Sequence, residues 1–203
     1  MPQDLPPHMQ LCERGLPCSP CPERRHNCAS VSCSVAAVGG ARDLLDWRDL
    51  EIGAPEIARL GAARLDSARV AMIGTVRPDG SQGISPIERH IADGHLLAGA
   101  MTWSAKASDL RRDPRYTLHS SVTGPDSDEG ELKLRRLAVR ADADLRIQAT
   151  DSWWSAQPSD KAIVFLLRIG QALFVGWDIP RGEMTVHRWS PSGGYRRTAR
   201  TYP

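Results

Sequence analysis

Lysine is scarce in this sequence: of 26 basic residues only Lys106, Lys133 and Lys161 are lysines. Long apolar runs are missing as well, and nothing approaches the roughly 18 residues that a membrane-spanning helix needs. No membrane partner is therefore expected. Charge of one sign is also wanting, since a formal net charge of +2 is too small to argue for nucleic acid or an anionic lipid surface. Neither GxGxxG nor GxxxxGK[ST] occurs, which removes support for a Rossmann or P-loop nucleotide site. HExxH is absent too, no nucleophile–base pair stands out, and there is no internal repeat.

What cysteine there is lies at one end. Cys12, Cys18, Cys21, Cys28 and Cys33 all fall in the first 33 residues. The CxxC at Cys18 and Cys21, with His26 and Cys28 after it, has the residue types of a zinc site. Its spacing matches no compact finger, however, and the segment is rich in Pro, Ser and Arg with little apolar periodicity. Residues 1–45 are read as a disordered leader with no metal assigned. The start "MPQDLPPHMQ" has neither a basic n-region nor an apolar h-region, so a signal peptide is not expected and a cytoplasmic, reducing location is the default.

The remainder, 46–203, is long enough to bury one core. Ile57, Leu60, Arg64, Leu65 and Ala68 follow helical spacing behind Pro55, a residue suited to a first helical turn. "VAMIGTV" (70–76) is a short apolar run closed by the turn "RPDG". "SQGISPIERHI" (81–91) follows, then a turn at Asp93-Gly94 and "HLLAGAM" (95–101): three strands in an antiparallel meander. Ser104 can cap a helix running through Leu110, which Asp113-Pro114 ends. "RYTLHSSV" (115–122) and "ELKLRRLAVRA" (131–141) read as strands around an acidic loop, and 142–160 as one short helix. "AIVFLLRI", "ALFVGWD" and "EMTVHRW" supply three last strands before a basic tail with Arg196, Arg197 and Arg200. Many short antiparallel strands interrupted by two helices predict a mainly β fold, a closed or partly open antiparallel barrel with flanking helices.

Within this frame, "SAKASDLRRDPR" (104–115) carries the chemistry. A helix start leaves backbone N–H groups unpaired at the positive end of the macrodipole. A hydroxyl at Ser104 and an ammonium at Lys106 would make that end suit a phosphate monoester. The plain alternative is a solvated lysine in a surface turn, a position the dipole disfavours by about 0.3–1 kcal/mol.

The order strand–"RPDG"–strand–DG–strand–"SAKASDLRRDPRYTL" resembles the pyridoxamine 5'-phosphate oxidase-like superfamily of FMN-binding split barrels, over roughly residues 50 to 190. "TVRPDGSQGISPI" (75–87) and "AKASDLRRDPRYTLH" (105–119) carry the likeness. The resemblance implies a homodimer that binds FMN in a groove between subunits and transfers hydride to or from a small-molecule substrate; some members use the deazaflavin coenzyme F-420 instead. By position it makes Lys106 the phosphate-contacting lysine and puts Thr102, Trp103, Ser104 and Ala105 in the turn around it. Ile84, Ser85 and Pro86 would line the ring edge, and Arg89 would reach the phosphate from the same strand. The chain departs from true pyridoxamine phosphate oxidases, which carry a basic residue near Ile84 and an Arg/His constellation near the C-terminus, so that activity is not assigned. A flavin or haem binder without turnover is the alternative from another class. The missing nucleophile fits a flavin enzyme, whose cofactor carries the hydride chemistry.

Other residues are read more plainly. His90 and His119 are expected to be strand histidines with local hydrogen bonds. Trp103, Trp153, Trp154, Trp177 and Trp189 are expected to pack, in the core or at a dimer face.

Overall fold

The computed structural model of the chain describes residues 45–68, 70–121, 130–152 and 161–201. The cysteine-bearing leader, the middle of the acidic loop and Trp153-Trp154 lie outside these residues. Leu45, which closes the expected leader, is already tied in: its carbonyl accepts from the Ile169 amide at 2.7 Å.

Two helices come first, α1 (Trp47–Gly53) and α2 (Pro55–Asp66). The sequence pattern shows only α2. α1 is one short run, opened by an Asp46–Asp49 capping box. A meander follows, β1 (Val70–Val76), β2 (Gln82–Ala92) and β3 (His95–Met101). Its second turn places Asp93 and Gly94 at φ +49° and +80°, the left-handed pair that a two-residue hairpin requires. Then come α3 (Ala105–Arg112), β4 (Arg115–His119), β5 (Glu131–Arg140) and α4 (Ala143–Ser152). The chain closes with β6 (Ala162–Asp178), β7 (Glu183–Ser190) and β8 (Gly194–Thr201).

The sheet order is β3-β2-β1-β4-β5-β6-β7-β8, and β3 also pairs with β6. Strands β1 to β6 thus close an antiparallel barrel, from which β7 and β8 extend as a flap. Alternation along the strands sends Ile73, Ile87, Leu118, Leu132, Leu134 and Phe165 inward, where α1 and α2 add Trp47, Leu50, Ile57 and Leu65. Arg64, on α2, is buried with its guanidinium donating to the carbonyls of Gly130 and Ser121.

Three expectations are corrected. The two strands expected at 162–169 and 172–178 are one 17-residue strand, β6. Gly170 is the extra residue of a bulge opposite Arg135/Arg136, so this glycine bends the strand instead of ending it. The bend lets the first half of β6 pair with β3 and the second with β7. The basic tail is strand β8, paired with β7 along its length. β4 stops at His119 because Ser120 turns both its amide and its hydroxyl to Leu132.

Candidate functional site

α3 sits where β3 leaves the barrel, and side-chain bonds fix its direction. Ser104 is the N-cap, accepting from the Ala107 amide and donating to the Met101 carbonyl at 2.7 Å. Further along, buried Asp109 accepts from Thr75 on β1 at 2.9 Å. Arg112 reaches the carbonyl of Val76. The start of α3 is thereby tied to the end of β3, and its last turn to β1.

Lys106 leans from that start onto β2, where its ammonium donates to the Pro86 carbonyl at 2.5 Å. The lysine is half-buried. Burial pulls its pKa below the ordinary lysine value, while Glu88 opposes that shift. An ammonium has three donors, so N–H groups remain beyond the one given to Pro86. The amides of Ala105 and Lys106 are those an α-helix leaves without an internal acceptor.

The outward residues of β1 and β2 form the floor beside this lysine. Ile84, Pro86 and Glu88 are exposed on one face of β2, opposite Gly74, Met72 and Val70 of β1. Ile84 is 70% and Met72 36% exposed, a large area for apolar side chains on a sheet. A cleft of about 440 Å³ opens over them, bounded also by Gln82, Arg115, Thr117 and His119. His119 Nδ1 bonds the Ser120 carbonyl at 2.7 Å, and Nε2 faces Glu131 at 3.5 Å.

Of the residues singled out from the sequence, the structure brings Ile84, Pro86, Trp103, Ser104, Ala105 and Lys106 to one side of the barrel. Thr102 serves the junction, its amide donating to the Lys161 carbonyl at 2.9 Å. Ser104 spends its hydroxyl on capping, so it offers no O–H to a ligand. Ser85 lies on the other face of β2 from Ile84 and Pro86. Arg89 does not join the group. It is buried on the inward face of β2, donating to the Ala68 carbonyl and facing Asp66 at 3.5 Å.

Trp103 departs from the packing expected of it: it is 79% exposed beside the α3 start. Trp189 does pack, edge against Gly53, and Trp177 is half-buried. Met72, Gly74 and Thr117 were not legible as site residues, because the signal is their shared outward register and not their residue type. Among the described residues no cluster of His, Cys, Asp or Glu could hold a metal ion.

No protein-family model matches the chain, and no curated protein does. Solved structures do. PhzG from Burkholderia lata 383, in complex with tetrahydrophenazine-1-carboxylic acid, is 12% identical with a TM-score of 0.54, over 83% of this chain and 99% of that one. The heme binding protein from Mycobacterium smegmatis is 15% identical with a TM-score of 0.49, over 70% of this chain and 88% of that one. A general stress protein 26-related protein of the pyridoxinephosphate oxidase family, from Clostridium acetobutylicum, is 11% identical with a TM-score of 0.47, over 72% and 96%.

The chain thus has an antiparallel split-barrel fold, shared with PhzG. At these identities the likeness is one of fold, and the ligand has to be argued from this chain's own residues. Among the described residues no helix is long and apolar enough to cross a membrane.

Proposed function

We propose that this chain is a flavin-dependent oxidoreductase that holds FMN against the outer face of β1–β2 and serves a small-molecule substrate. The observation that carries the reading is the half-buried Lys106 at the start of α3, flanked by exposed Trp103 and by the apolar floor of Ile84 and Met72. The residues present fit the group. Lys106, with the first-turn amides, suits a phosphate monoester, and the apolar floor and the indole suit a planar ring. FMN, when bound, supplies the hydride chemistry; the chain's part is to bind the phosphate, orient the ring and keep water from one of its faces.

A homodimer belongs to the same reading. Val70, Met72 and Ile84 leave an exposed apolar strip, and a two-fold copy seated there would cover both strip and cofactor. Light scattering on the purified protein is expected to give a dimer. A stable micromolar monomer that still binds FMN tightly would contradict the shared groove.

The deciding experiment compares FMN with riboflavin. Lys106→Ala is expected to weaken FMN by about ten- to a hundredfold, the loss of one charge-assisted hydrogen bond of about 1.5–3 kcal/mol, and to leave riboflavin unchanged. Equal losses would point to stacking or folding, and no loss would return Lys106 to the surface. The absorption spectrum of the purified protein separates flavin from the deazaflavin F-420 and from haem.

A further inference from the structure

A row of cations crosses the outer faces of β5 to β8, away from Lys106. Pairing aligns Lys133 of β5 with Leu173 of β6, Leu173 with Arg188 of β7, and Arg188 with Arg196 of β8. Three cations thus share one row, and Arg135 lies on the same face, opposite Gln171. Together with Gln171 and Ser190 these four cations bound a cleft of about 480 Å³ whose lining holds no carboxylate.

Like charges directly opposite one another in a sheet are destabilising, and Arg188 and Arg196 are such a pair. Among the described residues none of the four cations has an ion-pair partner, whereas Arg197, next to Arg196 on the other face of β8, meets Glu183 at 3.8 Å. Among the described residues, then, one face of this strand carries an ion pair and the other carries none. The volume falls within the roughly 300–1,000 Å³ of small-molecule pockets, more room than a single simple anion calls for. Lys133 lies three strands from Pro86, about 14 Å along the sheet at ~4.8 Å per strand, so Lys106 is not one of its walls.

We infer that this cleft binds a small organic polyanion bearing two or more phosphate or carboxylate groups. Lys133, Arg135, Arg188 and Arg196 supply the charge, and Gln171 and Ser190 the neutral hydrogen bonds. A concave lining favours a compact molecule over a nucleic-acid strand, whose backbone calls for an extended basic groove.

The test uses the full chain at low salt with two probes, inorganic pyrophosphate and citrate, read by calorimetry and by melting temperature. At least one is expected to bind and raise the melting temperature, and which one does so identifies phosphate or carboxylate as the preferred group. Added salt should weaken the binding. The double variant Arg188→Gln with Arg196→Gln is expected to lose about tenfold or more in affinity. Its own anion-free melting temperature should hold or rise, because the repulsive pair is gone; this separates lost binding from lost folding. The double variant should keep the parent's FMN affinity, which divides this site from the flavin reading. The inference is overturned if neither probe binds at millimolar concentration or if the double variant binds as well as the parent. It is also overturned if a short single-stranded oligonucleotide outcompetes both probes, or if the double substitution alters the oligomeric state and not the anion affinity.

Discussion

The outer faces of β1–β2 and of β5–β8 belong to one sheet, and a single register row runs through both. It passes from Pro86 to Met72, His119, Lys133, Leu173, Arg188 and Arg196. At the near end an apolar strip of Val70, Met72, Ile84 and Pro86 faces out between polar residues, and one lysine reaches in from a helix start. At the far end they are cationic. The inward positions of the same strands are mostly apolar, with Ile73 and Ile87 at one end, Leu132 and Leu134 at the other, and with Thr75, Arg89 and His187 as buried polar exceptions. Apolar side chains line the buried side at both ends; the difference in chemistry that matters for ligands lies in the alternate residues that face out.

The comparison breaks most severely if the shared interior is damaged. Leu134→Ala removes a fully buried side chain of β5 and is expected to cost about 2–5 kcal/mol, measured by denaturant unfolding, with both outer faces failing together near the melting temperature. A loss under about 1 kcal/mol would mean that the site collapses around the deletion.

A substitution confined to the near end should be felt there alone. Trp103→Ala is expected to weaken FMN and riboflavin by the same amount, about 0.5–1.5 kcal/mol of ring contact, in fluorescence titrations. Stability should not change, since the indole is mostly in solvent. Unequal losses for the two ligands would move the indole from the ring to the phosphate. Paired with Lys106→Ala, this separates ring contact from phosphate contact in the proposed flavin site.

The smallest effect lies beneath the far end. His187 is buried on the inward side of β7, its Nδ1 bonded to the Tyr195 hydroxyl at 2.8 Å and its ring edge-on to Phe174. Burial, and then the Arg197 charge, lower its pKa, while Glu56 opposes them. The folded imidazole stays neutral where the unfolded one takes up a proton, so this contribution to stability is complete above about pH 6.5 and is lost as pH falls below it. His187→Gln should therefore flatten the fall of melting temperature between roughly pH 7 and pH 5. An unchanged profile would assign that fall to other groups.

Much of the near end was legible in residue order. A helix start after an apolar strand, with a serine cap and a lysine two positions on, is a local pattern, and local hydrogen bonds enforce it. The two turns of the meander were equally plain, since Asp93-Gly94 and "RPDG" each answer to a backbone requirement. Arg89 was less so. Its place on β2 suggested a second phosphate contact, but alternation turns it inward to Asp66 and the Ala68 carbonyl. Trp103 ran the other way, because whether an indole is packed or exposed depends on what the neighbouring strands bring over it.

By itself the sequence determined the strand and helix periods, the turns and the cap, because these rest on residues a few positions apart. It also determined which side chains alternate together along each strand. Only the tertiary structure decided that β6 runs unbroken through Gly170, that the basic tail pairs as β8, and that Lys133, Arg188 and Arg196 stand in one row. The physical reason is that register is set by partners far apart in the chain. A bulge or a one-residue slip reassigns every outward side chain, and no local pattern records which slip is taken.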